Sequence, residues 1–325
     1  MNILEVKNVT TKLKTDRGEI TAVDRVSFSL GKGEILGLVG ESGCGKSMTS
    51  MTIMRLLDEK LARSEGEILF CGQNLLTLSE KEMNLVRGNE ISMIFQDVMT
   101  SLNPLMTIGR QIMEPMMVHK GMSKEDAKKR AIELLAAVGI PMPEKRFKEY
   151  PNSFSGGMRQ RVMIAIALAC TPKVLIADEP TTALDVTIQA QILELLQKIR
   201  EEFGTSIILI SHDLGVIAQT CDRAAVMYCG SIVEEGTIER IFENPVHPYT
   251  RGLLSSIPSM EEDKEELFSI PGTVPPLYNL PEGCKFSGRC TDFCETCSRG
   301  YINHIEVEPG HFVSCMHIGG DGHDK

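Results

Sequence analysis

Two glycine-rich segments that could begin helices lie more than a hundred residues apart in this chain. The first, residues 40–47, reads Gly-Glu-Ser-Gly-Cys-Gly-Lys-Ser and follows a short apolar run at residues 35–39. This spacing matches G-x-x-x-x-G-K-[ST], a loop whose backbone N–H groups surround phosphate oxygens at the positive end of a helix. Lys46 would add a charge beside the outer phosphates, and Ser47 a ligand for Mg²⁺. We predict that a nucleoside triphosphate binds at Gly40, Glu41, Ser42, Gly43, Cys44, Gly45, Lys46 and Ser47.

The second segment, residues 154–158, reads Phe-Ser-Gly-Gly-Met and opens an apolar stretch that ends near Cys170. Ser155 is a favourable N-cap residue, and Gly156 and Gly157 leave the first backbone N–H groups of a helix open to an anion. The segment has no lysine of its own. It is therefore suited to contact a phosphate that another site already holds.

Two acidic residues follow a buried strand pattern at residues 174–177. Asp178 would reach Mg²⁺ through water, and Glu179 would polarise an attacking water as a general base. The alternative interpretation is a strand that ends in a polar turn, which Pro180 would favour. The presence of Lys46 in the same chain favours the catalytic interpretation.

Two other polar residues also follow strand patterns: His212 comes after residues 206–210, and Gln96 after the run at residues 91–95. Ligands of α/β sheets gather beyond the ends of the strands. We predict that His212 contacts the terminal phosphate and orients Glu179, and that Gln96 contacts Mg²⁺ or the attacking water. Read alone, each is an ordinary surface or strand-end residue.

Strand and helix patterns alternate along most of the chain, which predicts an α/β fold with a largely parallel sheet and antiparallel strands at its start. The helical stretch at residues 107–139 is interrupted near Gly121. Beyond Pro245 the composition changes to frequent prolines and then clustered cysteines. We predict a domain boundary there, between residues 1–245 and 246–325.

Composition excludes several classes of protein. The chain has 325 residues, of which 42% are hydrophobic and 24% charged, as in soluble globular proteins. The net charge of −10 disfavours a protein that binds nucleic acid through phosphates. No apolar run reaches the roughly 18 residues that a membrane span needs, and no signal peptide is visible. We expect a cytoplasmic chain that reaches a membrane through a partner.

In order and spacing, these motifs resemble those of ATP-binding-cassette (ABC) ATPases over nearly the whole chain. The matching positions are residues 40–47, Gln96, residues 154–158, Asp178, Glu179, residues 183–185 and His212. The resemblance implies a P-loop NTPase core of the RecA-like type with a mixed sheet and an N-terminal antiparallel β subdomain. It also implies a helical signature subdomain at about residues 97–170 and a small C-terminal extension.

The resemblance further implies a dimer that closes over ATP. Ser155, Gly156, Gly157 and Met158 would grip the γ-phosphate held by the opposite subunit, and Asp185 would line the same interface. The implied partners are a second cassette, expected to be a diverged sibling, two membrane permease subunits and, indirectly, an extracellular binding protein. The chain would then lie at the cytoplasmic face of the membrane.

Three stretches, at residues 95–109, 247–251 and 270–275, resemble dipeptide and oligopeptide importers. The resemblance therefore implies a peptide importer, and a related importer of nickel or another metal complex is the alternative. A cassette that acts on DNA or ribosomes is disfavoured because the chain has one glycine loop, no sustained heptads and an acidic balance. A regulator that does not hydrolyse ATP is disfavoured because Glu179 and His212 are both present.

Five of the ten cysteines crowd into the tail: Cys284, Cys290, Cys294, Cys297 and Cys315. Cys284, Cys290, Cys297 and Cys315 resemble the framework that carries a [4Fe–4S] cluster in dipeptide-type cassettes, and four thiolates are the usual ligand set. Cys294 is then a spare. Zn²⁺ is the alternative, which nearby histidines keep open, and an unmetallated or disulfide-bonded tail is a third possibility.

Methionines are dense between Met93 and Met122. They would serve either as adaptable core packing in a helical subdomain or as a groove for a helix of a membrane subunit. On the second interpretation, alanine at Met106 or Met113 should uncouple transport from ATP hydrolysis.

Overall fold

The computed structural model describes residues 1–97, 101–182, 184–256, 269–298, 300, 302 and 304–319. The chain forms two compact units, each assembled from separate segments. The first unit contains Met1–Ile3, Leu30–Ile35 and Thr77–Ile210, and the second contains Leu4–Ser29, Leu36–Leu76 and Ser211–Lys325. The domain boundary near residue 245 stays a prediction.

Strands and helices alternate, as the sequence pattern predicts. The strands are β1 (Asn2–Thr15), β2 (Gly18–Gly31), β3 (Ile35–Val39), β4 (Ala62–Phe70), β5 (Gln73–Asn74), β6 (Ile91–Ile94), β7 (Val174–Asp178), β8 (Ser206–Ser211), β9 (Arg223–Tyr228), β10 (Ser231–Thr237), β11 (Ile305–Glu308) and β12 (His311–Val313). The α-helices are α1 (Lys46–Ile53), α2 (Glu80–Val86), α3 (Ile108–Lys120), α4 (Lys124–Ala137), α5 (Pro143–Arg146), α6 (Gly156–Ala167), α7 (Val186–Phe203), α8 (Leu214–Thr220), α9 (Ile238–Glu243), α10 (Pro248–Ser255) and α11 (Met316–Gly319). Among the described residues, no helix combines the length and the apolar character needed to cross a membrane.

The first unit is built on three parallel strands in the order β6, β7, β8. Every residue of β7 is buried, which suits a strand covered on both faces and explains its continuous apolar sequence. Asp178 ends β7 opposite Ile210 of β8. The parallel arrangement therefore brings the polar residues that follow β6 and β7 to the same edge of the sheet.

The helices of the first unit pack around this sheet, with α3 against α4 and α6, and α6 against β6. The predicted break near Gly121 is confirmed. Gly121 ends α3 in the left-handed conformation with φ 62°, and the Ser123 hydroxyl accepts from the backbone N–H of Asp126 to begin α4.

The described residues of the second unit form two sheets. One has the strand order β2, β1, β4, β5, with β4 antiparallel to both β1 and β5, and confirms the antiparallel strands predicted at the start of the chain. In the other, β3 pairs with β9 in parallel, and β10, β12 and β11 follow as antiparallel neighbours. The last strands of the tail thus extend the sheet that carries the glycine loop.

Candidate functional site

The glycine loop connects β3 to α1, as predicted. Gly40 has φ 153°, and a Cβ atom there would lie 2.3 Å from the carbonyl oxygen of Met227. Gly45 has φ 107°, and its Cβ would lie 2.8 Å from the carbonyl oxygen of Ala22. A side chain at either position would collide with backbone, so glycine alone allows the loop to pass this close to its neighbours.

Lys46 folds back across the loop and is 4% exposed. Its Nζ donates to the carbonyl oxygens of Gly40 at 2.7 Å and Glu41 at 3.1 Å. Cys44 is buried in the same turn, and burial raises the pKa of its thiol. The loop thus encloses a positive charge at the N-terminal end of α1, which is the arrangement that binds phosphate. Ser47 lies beside Lys46 at the start of that helix.

The structure brings Gln96 and Glu179 together, as their positions after β6 and β7 predict. Glu179 Oε2 accepts a hydrogen bond from Gln96 Nε2 at 2.9 Å. It accepts a second from the hydroxyl of Thr182 at 2.8 Å. Sequence analysis did not select Thr182, although its place three residues after Glu179 in a tight turn was a usable signal. These two donors fix the direction of the carboxylate.

The backbone at Glu179 is also constrained. Glu179 has φ 47°, a left-handed conformation that is rare outside glycine, and its N–H donates to the carbonyl oxygen of Ile210 at 3.0 Å. Such local strain persists only where the surrounding structure imposes it, and it concentrates at functional sites. Asp178, 3% exposed, precedes it at the end of β7.

The signature segment begins α6. Ser155 is its N-cap, and the Ser155 hydroxyl accepts from the backbone N–H of Met158 at 3.4 Å. Gly156 is exposed, and among the described residues the nearest neighbour of a Cβ atom there would be a Leu184 methyl group at 3.8 Å. No acidic side chain lies in the first turn of α6. The predicted helix start is therefore confirmed, with its positive end open at Gly156.

The structure also places two further predicted residues, Asp185 and His212, at the ends of neighbouring strands and helices. Asp185 is the N-cap of α7, and its Oδ1 accepts from the backbone N–H of Ile188 at 3.0 Å; the neighbouring residue 183 lies outside the described residues. His212 is exposed between β8 and α8, in the second unit. The structure therefore gives Asp185 a capping role and leaves the predicted role of His212 as a prediction.

The predicted metal ligands of the tail are not assembled. Within the described part of the chain, no group of three or more His, Cys, Asp and Glu residues is arranged to hold a metal ion. The Sγ atoms of Cys294 and Cys297 lie 3.3 Å apart, so the expected spare cysteine is the one paired with a predicted ligand. Burial, with smaller effects of the Cys297, Cys315 and Cys290 thiols, raises the pKa of Cys284 to about 11.

The zinc alternative gains no support from the described histidines. The imidazole Nδ1 of His304 lies 2.9 Å from the hydroxyl of Ser314. The imidazole Nε2 of His311 lies 2.8 Å from Glu234 Oε1. Each ring makes this contact through one nitrogen, and among the described residues neither belongs to a group that could hold a metal ion; the side chain of His317 lies outside the described residues.

Two residues from beyond position 245 contact the glycine loop, and sequence analysis singled out neither. The hydroxyl of Tyr249 accepts from the backbone N–H of Glu41, and Arg289 forms an ion pair with the Glu41 carboxylate. Tyr249 lies in the stretch at residues 247–251, but nothing in its spacing pointed to the loop.

Two family matches cover much of the chain. Residues 23–182 match the family described as ABC transporter. Residues 233–297 match the family described as Oligopeptide/dipeptide transporter, C-terminal region. The second match extends across the start of the tail and includes Cys284, Cys290 and Cys297.

Related proteins agree with this assignment. The chain is 60% identical over 289 residues to the oligopeptide transport ATP-binding protein OppD of Bacillus subtilis (strain 168), covering 88% of this chain and 81% of that protein. It is 54% identical over 317 residues to the dipeptide transport ATP-binding protein DppD of Lactococcus lactis subsp. cremoris (strain MG1363), covering 96% and 89%.

The fold agrees as well. A solved structure described as the dimeric structure of MJ0796, a bacterial ABC transporter cassette, matches with a TM-score of 0.65 at 32% identity, covering 72% of this chain and 98% of that one. A second structure of that cassette, in a dimeric post-hydrolysis state bound to ADP and Pi, matches equally well. This chain therefore belongs to the ABC transporter ATPases of the oligopeptide and dipeptide importer type.

Proposed function

We propose that this chain is the ATP-hydrolysing subunit of an ABC importer for dipeptides or oligopeptides. The observation that carries the proposal is the carboxylate of Glu179, fixed by Gln96 and Thr182 directly after the buried Asp178. A carboxylate held in this way can take a proton from an attacking water. The names of the relatives, which specify oligopeptide and dipeptide transport, supply the class of cargo.

In this proposal the glycine loop and Lys46 hold the phosphates of ATP. Ser47 and Gln96 would hold Mg²⁺, with Asp178 acting through water; the oxygen donors of these side chains suit that ion. When bound, Mg²⁺ neutralises charge on the outer phosphates. His212 contacts the terminal phosphate, and Glu179 acts on the water.

The open end of α6 supports a role between two cassettes. Ser155, Gly156 and Gly157 would contact the γ-phosphate of ATP bound to the second subunit, with Met158 completing the turn and Asp185 at the same interface. ATP then joins the subunits, and hydrolysis releases them. The described dimers of a related cassette support this arrangement. We propose a diverged sibling as the second subunit.

Co-purification tests the assembly. We expect the tagged chain, extracted from membranes in mild detergent, to bring down a second cassette and two permease subunits, and ATP hydrolysis by the complex to rise when a peptide-loaded binding protein is added. Stimulation by a metal complex but not by peptides would favour the alternative cargo. Recovery with ribosomes or nucleic acid, and without permeases, would contradict the proposal.

A groove in the first unit is the proposed contact with a permease. It has a volume of about 650 Å³ and is lined by apolar and charged side chains, with the apolar part formed by Met113, Met117, Val118 and Phe147. Met117 and Val118 are exposed. Of the two methionines for which alanine was expected to uncouple transport, Met113 lines this groove. An amphipathic helix of a permease would fit such a mixed surface.

Substitution of Met117 by Asp tests the groove. Because Met117 is 42% exposed, the fold should tolerate the change, whereas a carboxylate in the apolar part of the interface should reduce peptide transport by about tenfold or more. ATP affinity should stay within about twofold, because the lining of the groove includes no residue of the glycine loop. The matched control is Met142→Asp, at another exposed methionine. Equal transport by both variants would exclude the groove.

The iron–sulfur cluster is retained as a separate proposal for Cys284, Cys290, Cys297 and Cys315. Its support is that the backbone N–H of Cys284 donates to the carbonyl oxygen of Cys297 at 2.8 Å, which brings these two segments together, and that a small tail benefits from a staple. The described geometry does not present them as a ligand set, so the cluster would require the thiols to move together.

Metal analysis decides this point. If the proposal is right, protein purified without oxygen should contain about four iron atoms per chain and a broad visible absorption band, because four thiolates hold a [4Fe–4S] cluster. Cys290→Ser should lose both signals. Cys71→Ser, at an exposed cysteine far from the tail in the sequence, should keep them. Zinc in stoichiometric amount without iron, or metal-free protein, would reject the cluster.

A further inference from the structure

Glu41 of the glycine loop is held by residues from beyond position 245. Arg289 is 8% exposed, and its guanidinium donates from Nη1 to Glu41 Oε2 at 2.7 Å and from Nη2 to Glu41 Oε1 at 3.1 Å. This is a bidentate pair, the strongest geometry that an arginine and a carboxylate can form. Arg289 Nε also donates to the carbonyl oxygen of Pro271 at 3.0 Å, so the guanidinium cannot rotate freely.

The backbone of Glu41 is held by a second residue. Its N–H donates to the hydroxyl oxygen of Tyr249 at 2.9 Å. Tyr249 is fully buried in α10, and its ring lies 4.7 Å from that of Tyr228 and 5.3 Å from that of Phe286, between ring centroids. These three rings, the aromatic cluster, fix the direction of the Tyr249 hydroxyl.

Residues close in sequence to Phe286 and Tyr249 make contacts that hold the aromatic cluster in place. Lys285, next to Phe286, pairs with Asp24 at 2.9 Å and donates to the carbonyl oxygen of Cys229 at 2.8 Å. His247 begins α10 by accepting from the backbone N–H of Tyr249 at 3.1 Å, and burial lowers its pKa to about 3, so the ring is neutral. Arg289 and Tyr249, which bind Glu41, therefore lie in a well-packed part of the structure.

The negative charge of Glu41 connects these contacts to phosphate binding. A carboxylate in a phosphate-binding loop repels a triphosphate, and the bidentate partner neutralises it. The backbone carbonyl of Glu41 is also one of the two that accept from Lys46 Nζ. Any movement of Glu41 would thus displace both a backbone N–H of the loop and the lysine that contacts phosphate.

We propose that Arg289 and Tyr249 are positioning residues of the nucleotide site, so that the C-terminal region sets how tightly the glycine loop binds ATP. The proposal rests on the assignment of residues 40–47 as the nucleotide site. Arg289 cancels the charge of Glu41 and fixes its side chain, while Tyr249 fixes its backbone. Neither residue touches the reacting atoms.

The test compares substitutions in the full chain with its companion cassette. Arg289→Met should raise the dissociation constant for ATP and the KM for ATP about tenfold, with kcat changed by less than about twofold, because the loss is in binding. Arg289→Lys should recover part of the affinity through its charge, but not all, because Lys cannot form the bidentate pair. Tyr249→Phe should weaken ATP binding about threefold by removing one hydrogen bond.

A double substitution separates positioning from general damage. Glu41→Gln combined with Arg289→Met removes the uncompensated carboxylate, so ATP affinity should recover to within about threefold of the original. A merely structural role would predict no such recovery. Arg251→Met is the control, because Arg251 pairs with Asp292 at 3.5 Å in the same region; it should leave ATP affinity unchanged.

The outcomes distinguish this inference from the site on which it rests. Lys46→Ala should abolish ATP binding if the glycine loop is the nucleotide site, and unchanged binding would reject the site itself. If Lys46→Ala abolishes binding but Arg289→Met binds ATP as tightly as the unsubstituted chain, the positioning role is wrong. Loss of kcat without a change in KM for Arg289→Met would also overturn it, as would failure of the double substitution to recover affinity.

Discussion

Replacing Glu179 by Gln is expected to reduce ATP hydrolysis by about 10²–10⁴-fold, the range typical for loss of a general base. The amide keeps the shape of the carboxylate and can still accept from Thr182 or Gln96 through its oxygen, so the turn should keep its fold. ATP binding should persist, because the change removes a group that acts on water rather than on the phosphates. Phosphate release and equilibrium nucleotide binding measure the two effects separately.

The same variant should accumulate as an ATP-bound dimer with its companion cassette, visible by size-exclusion chromatography with light scattering. Glu201→Gln is the control, since Glu201 is an exposed carboxylate near the end of α7, and it should hydrolyse ATP normally. If the Glu179 variant binds ATP yet stays monomeric, both alone and with the companion, then the segment at Ser155 does not clasp a nucleotide on another subunit.

The placement of Gln96 and Glu179 at one edge of the sheet could be predicted, whereas the hydrogen bond between them was not. Each residue lies just beyond the end of a short strand, and parallel neighbours place such residues at one edge of a sheet. The N-cap role of Ser155 could also be predicted, since it depends on a few consecutive residues. Local patterns therefore predicted both helix starts and the placement of two site residues at one edge of the sheet.

Contacts between distant segments could not be predicted from local sequence patterns. Arg289 and Glu41 are separated by 248 positions, and nothing in either local sequence indicates the other. Helix α1 ends at Ile53 although its apolar pattern continues to residue 57, because Arg55 takes a left-handed conformation with φ 49°. The arrangement of the tail cysteines likewise depends on packing that spacing alone does not determine.

The exposed glycine at the start of α6 gives the other large expected effect. Gly156→Ala should reduce ATP hydrolysis by about 10²-fold, comparable with loss of one hydrogen-bond donor at a charged transition state. Among the described residues the added methyl group meets no clash, since its nearest neighbour would be a Leu184 methyl carbon at 3.8 Å. Replacing glycine by alanine at an unstrained position stabilises a fold by about 0.4–1 kcal/mol. Stability should therefore not fall, while a phosphate can no longer approach the first N–H groups.

The informative measurement is the combination of activity and stability. We expect a melting temperature equal to or above that of the unsubstituted chain, together with unimpaired ATP binding to the glycine loop of the isolated chain and strongly reduced hydrolysis with the companion cassette. Asn152→Ala, four residues earlier and exposed, should change none of these quantities. Because the methyl group makes only an ordinary contact with the described residues of the chain, a loss of turnover would point to what docks on this surface; full turnover would mean that no phosphate does.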